Sequence, residues 1–115
     1  MCAKLFTLDV EKVLAELREY ALRAVERGAL AVVLIGSLAR GDYTAFSDAD
    51  VVVIVAEDKR RPVDRVADFL DPTLSVDVEP RVYTVEELRA MAARGSRIVE
   101  EIKRGVVLAG ALPHI

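Results

Sequence analysis

The sequence predicts an α/β fold, a single small domain over residues 1–115 in which helices flank a mixed β-sheet. Three observations lead there. Apolar residues recur at helical spacing early in the chain, two strand-sized apolar runs follow at 29–35 and 51–56, and the remainder alternates short helical and strand patterns.

Val10, Val13, Leu14, Leu17, Ala21, Ala24 and Val25 are spaced three and four apart, which predicts an amphipathic helix over 9–27. Asp9 is its N-cap and Gly28 its stop. LAVVLI at 30–35 is apolar throughout, as in a strand buried on both faces. DADVVVIVA at 48–56 is a second strand, with polar residues alternating at its start and β-branched residues filling most of the rest. EDKRR at 57–61 is a charged turn. Pro62, at a first helical position, opens a short helix with Val63, Val66, Ala67 and Leu70 on one face, and Asp71-Pro72 ends it. LSVDVE at 74–79 alternates cleanly and predicts a strand with Ser75, Asp77 and Glu79 on its wet face. Thr84 and Glu87 form a capping box for a helix through about Arg94. Gly95 breaks that helix, Ser96 caps the next, and Gly105 stops it before a last short strand at 106–108.

Composition limits the function. A chain of 115 residues builds one core and leaves no room for a separate substrate domain. The net charge of -3 opposes broad nucleic-acid binding. No apolar run approaches the roughly 20 residues of a membrane span, and nothing at the start reads as a signal peptide. One cysteine, Cys2, forms no internal disulfide, so a cytoplasmic location is expected. Asn and Gln are absent and Arg outnumbers Lys, a bias that points towards a hot-adapted source.

The chemistry concentrates in 36–50, GSLARGDYTAFSDAD. Two residues apart on a strand, Asp48 and Asp50 leave the same face roughly 6–7 Å apart. Two ionised carboxylates at that separation repel by roughly 2–3 kcal/mol at an effective dielectric of about 20. Hard divalent cations relieve that repulsion, as does water at a solvated strand start. Asp77, between Val76 and Val78, adds a third carboxylate if its strand neighbours 48–56. Three carboxylates on one face would serve two metal ions, with Glu79 the rival third ligand. Gly36 and Ser37 follow a buried strand, where glycine admits a phosphate close to the backbone and the hydroxyl adds a donor. The same pair also suits a plain turn. Arg40 is placed to donate to a phosphate or to stay in water.

Gly36-Ser37, ten residues, then Asp48-x-Asp50, with Ala39-Arg40-Gly41 and Ser47 between, closely resembles the signature of the minimal nucleotidyltransferases of the DNA polymerase β-like nucleotidyltransferase superfamily. The later strand acid of that family falls at Asp77. The resemblance implies that superfamily's fold, a nucleoside triphosphate (ATP) on the Gly36–Ser37 turn, and divalent metal, two magnesium ions, on Asp48 and Asp50. Asp77 would complete the metal site and help deprotonate the acceptor hydroxyl. Small members of the family occur beside a HEPN-domain toxin, and some act as its antitoxin by moving AMP onto a partner tyrosine. The expected activity is therefore protein adenylylation within a toxin–antitoxin pair. A contact-only binding module and an aminoglycoside-type small-molecule transferase remain alternatives, and homo-oligomers stay open. His114 and Cys2 read as terminal residues and Tyr43 as an ordinary loop residue, with stacking on a base the alternative; the 57–61 run reads as a solvated connection, and a partner-binding patch of Arg60, Arg61 and Arg65 is compatible with the sequence but not required by it.

Overall fold

A computed structural model describes residues 10–42 and 48–115. Its elements in chain order are α1 (Val10–Glu26), β1 (Ala29–Ile35), α2 (Gly36–Arg40), β2 (Ala49–Val55), α3 (Pro62–Arg65) with a 3₁₀ turn at Val66–Phe69, β3 (Val78–Thr84), α4 (Val85–Ala93), α5 (Arg97–Arg104) and β4 (Val106–Gly110). One sheet of order β3-β2-β1-β4 carries them. β1 runs antiparallel to both β2 and β4, whereas β2 and β3 are parallel, so the sheet is mixed. Among the described residues, no helix is long and apolar enough to cross a membrane.

Helices cover both faces, which is why β1 and β2 are apolar at nearly every position. On one face Val13, Leu17, Ala21 and Ala24 of α1 pack with Val32, Leu34, Val51 and Val53. On the other, Leu88, Val99 and Ile102 of α4 and α5 pack with Ala31, Val33, Val52 and Ile54. Thr84 accepts from the Glu87 backbone N–H at 3.1 Å while the Glu87 carboxylate accepts from the Thr84 N–H at 2.8 Å, so the predicted capping box is present. Ser96 occupies the N-cap of α5, but its side chain makes no capping bond.

Two expectations are corrected. Residues 72–76 form turns and bends, and the strand expected at 74–79 is β3 at Val78–Thr84. Leu74, Val76, Val78, Pro80 and Val82 form one uninterrupted period-two series, so alternation does not mark where the strand begins. Pairing does, because β2 opens at Ala49 and Ala49 lies opposite Val78. β3 is an edge strand, which tolerates the missing N–H of Pro80. The second correction concerns α3 and its 3₁₀ continuation. Val63 and Leu70 are 68% and 54% exposed, while Arg65 and Phe69 turn inward. Asp9, Cys2, Tyr43 and Ser47 lie outside the described residues.

Candidate active site

The site forms where β1 hands over to α2. Ile35, the last residue of β1, lies opposite Asp50 in the antiparallel register. Gly36 follows at φ +78°, in the left-handed region, and turns the chain directly into α2. A Cβ at Gly36 would stand 2.5 Å from Oδ2 of Asp50, so the Asp50 carboxylate occupies the space that glycine leaves free. Ser37 is half-buried, and its carbonyl accepts from the N–H groups of Gly41 and Asp42 at 2.9 and 3.1 Å, closing the short helix.

Asp48 is exposed one residue ahead of β2, and Asp50 is half-buried within it. Alternation puts Asp50 on the face of Val52 and Ile54, the side covered by α4 and α5. Asp77 stands just before β3 rather than in mid-strand, with its side chain exposed and its carbonyl accepting from the Ala49 N–H at 2.8 Å. That bond ties the segment carrying Asp77 to the one carrying Asp48 and Asp50. Glu79 lies directly opposite Asp50 in the parallel register, so it is Asp50's neighbour across the strands. Alternation gives Asp77 and Glu79 the same face, and the register alone decides that Glu79 lies opposite Asp50. Arg40 is exposed and donates from Nε to Asp42 at 3.2 Å.

The donors fit a hard divalent ion. The Asp50 carboxylate beside the Gly36 turn, with Asp48 two residues earlier in the chain, suits magnesium, which takes one or two carboxylates and fills its shell with water and substrate phosphates. A pre-built cage is a different matter: among the described residues, no three His, Cys, Asp or Glu side chains group closely enough to hold a metal.

The opposite end of the sheet is structural. Arg65, expected on a partner-facing patch, is 2% exposed. Its guanidinium donates to the Glu87 carboxylate at 2.6 and 3.2 Å and to the carbonyls of Asp58 and Val82 at 2.8 and 3.2 Å. The Arg65 bond holds the Glu87 carboxyl below its ordinary range against the opposing effect of burial. Arg60 bonds to Asp58 and Asp68, and Arg61 to Asp64. A 520 Å³ hollow lined by Glu57, Asp58, Glu86 and Glu87 also lies at this end, away from Asp48 and Asp50.

The nucleotidyltransferase domain profile matches residues 10–108, from α1 into β4. The chain belongs to that family. A crystal structure at 1.40 Å of a candidate nucleotidyltransferase from Sulfolobus solfataricus shares the fold of this nucleotidyltransferase domain. The two agree with a TM-score of 0.54 and 21% sequence identity, over 85% of this chain and 84% of that one. No curated protein matches the sequence. Gly36, Ser37, Asp48 and Asp50 all fall inside the matched span of the nucleotidyltransferase domain, as does Asp77.

Proposed function

We propose that this nucleotidyltransferase domain moves AMP from ATP to a hydroxyl acceptor, a tyrosine of a HEPN-domain toxin, with pyrophosphate released as the leaving group, and acts in the cytoplasm as that toxin's antitoxin. The observation that carries the chemistry is the seating of the Asp50 carboxylate in the space left by Gly36. It places a hard anionic ligand against the turn where a triphosphate would meet backbone N–H groups. The toxin and its tyrosine rest on the motif resemblance of 36–50.

Each residue then has a task. Ser37 and the first N–H groups of α2 bind phosphate oxygens. Asp48 and Asp50 would hold magnesium, and Asp77, anchored beside Ala49, would complete that site and accept the proton of the attacking hydroxyl. Bound metal would neutralise the phosphates and lower the pKa of that hydroxyl. Arg40 reaches a phosphate only by leaving Asp42, an exchange with little penalty for an exposed pair.

The test is transfer from labelled ATP onto a co-purified partner. Asp48→Asn or Asp50→Asn should slow transfer by at least about a thousandfold, a barrier increase of about 4 kcal/mol. The metal-free protein should melt at the same temperature or higher, since each substitution removes one member of a repelling pair. A wild type that labels no partner, with Asn variants that still neutralise the toxin in cells, would establish the contact-only module instead.

A further inference from the structure

Asp77 follows an irregular stretch, and pairing with β2 reaches back only to its own carbonyl, so residues 74–76 need another anchor. One side chain from a distant element supplies it. Glu16, in the middle of α1, accepts at Oε1 from the Ser75 backbone N–H at 3.2 Å and from the Ser75 hydroxyl at 3.0 Å. Its second oxygen, Oε2, is buried and has no hydrogen-bond partner among the described residues. A carboxylate with one oxygen buried and unpaired is an unfavourable choice for mere surface decoration. Oε1 takes two donors from one residue and so fixes both the main chain and the side chain of Ser75.

Two residues later the Asp77 carbonyl is bonded to Ala49, the residue between Asp48 and Asp50. Leu74 and Val76 pack on the α1 face of the core, so the stretch is pinned by apolar contacts and by Glu16 from the same helix. α1 is thereby connected through Glu16, Ser75 and Asp77 to the strand that carries the catalytic pair.

We propose that Glu16 is a positioning residue for Asp77: it orders 74–77 so that Asp77 enters β3 at a fixed place beside Asp48 and Asp50. The inference rests on the role of Asp77 in the nucleotidyl transfer proposed above. Glu16 touches neither nucleotide nor acceptor.

The experiment compares Glu16→Ala, Glu16→Gln and Asp77→Asn in the full chain with its partner, by three measurements. Glu16→Ala should speed amide hydrogen exchange at Ser75 by about tenfold or more, since its N–H loses its acceptor, and the loosened backbone should speed exchange at Val76 and Asp77 as well. It should lower kcat by about tenfold to a hundredfold while the Kd of magnesium-ATP changes less than about twofold, because a displaced catalytic group costs rate more than binding. Glu16→Gln keeps an oxygen acceptor and should restore most of the protection and the rate. Unchanged exchange at 75–77, an unaltered kcat, or a loss that Gln leaves unrepaired would each overturn the proposal. If Asp77→Asn transfers at the wild-type rate, the proton-accepting role of Asp77 fails and this proposal fails with it. If wild type itself transfers nothing, the nucleotidyl-transfer reading fails, and the exchange data alone decide whether Glu16 orders Asp77.

Discussion

Gly36→Ala isolates what the glycine does for the Asp50 carboxylate. Two penalties combine. Holding an alanine at φ +78° costs about 1–2 kcal/mol. The added methyl would also stand 2.5 Å from Oδ2 of Asp50, against an ordinary contact of 3.4 Å, so the carboxylate must retreat by about 0.9 Å. Gly28 separates the two effects, because it has φ +110° with nothing within 4 Å of its added Cβ. Gly28→Ala should thus lose about 1–2 kcal/mol, about 4–8 °C in Tm for a domain of this size, with transfer unchanged. Gly36→Ala should melt at least as early and in addition lose about a hundredfold in kcat, equivalent to about 2.7 kcal/mol, since a displacement near 1 Å is enough to spoil alignment. Melting by calorimetry and label transfer at saturating magnesium-ATP are the two assays. A Gly36→Ala enzyme within threefold of wild type would show that the Asp50 seat is dispensable, and equal activity loss in both variants would assign the effect to backbone strain alone.

Three further outcomes follow from the same structure. Chelating magnesium should weaken ATP binding in calorimetry by at least about tenfold, because the triphosphate then meets two uncompensated carboxylates; equal affinity in both conditions would place ATP elsewhere. Arg65→Met should destabilise the fold by about 3 kcal/mol in urea unfolding, the low end for a broken buried pair because the Glu87 side chain is 35% exposed. Its partner carries a pH signature: Glu87 has a depressed pKa in the folded chain, so its contribution is present above about 4.5, fades as the pH falls below that, and should be flatter with acid in Arg65→Met. Tyr20→Phe should cost about 1–2 kcal/mol through loss of the 2.6 Å bond to the Phe69 carbonyl. Burial first, then the Asp71 charge, raises the Tyr20 pKa from 10.0 to about 12, so wild type keeps this contribution below pH 10 and loses it as the pH rises towards 12; an alkaline melt identical in Tyr20→Phe would contradict that.

Much of the fold is legible because its elements advertise themselves locally. The spacing along α1, the unbroken apolar runs of β1 and β2, and the Thr84–Glu87 box each encode their own secondary structure within a few residues. What is hidden depends on partners far along the chain. β3 begins at Val78 because Ala49 does, and nothing near residue 78 records this. Arg65 looks like a surface residue until Glu87, 22 positions on, supplies a carboxylate and Val82 a carbonyl. With Arg65 and Phe69 inward, Val63, Ala67 and Leu70 of the apolar face that spacing predicts are exposed and only Val66 is half-buried.

For the site, the same contrast explains both the readable part and the unreadable one. Sequence spacing places Asp48 and Asp50 at the opening of a strand whose interior is entirely apolar, and that is the place where paired carboxylates are tolerated. Deeper in β2, at Val52 or Ile54, helices on the α4 and α5 face would bury the charge; at Asp50 the side chain still reaches the rim of the sheet. The glycine is readable as a turn former, but not as the residue whose missing Cβ makes room for Asp50, because that fact requires the Ile35–Asp50 register. The third carboxylate is hardest to read. Asp77 and Glu79 have the same parity and the same chemistry; the Ala49–Asp77 bond attaches one to the strand of Asp48 and Asp50 by its backbone, while the register sets the other beside Asp50. Choosing between them is a question about which side chain approaches the acceptor, so the decisive comparison is Asp77→Asn against Glu79→Gln in label transfer.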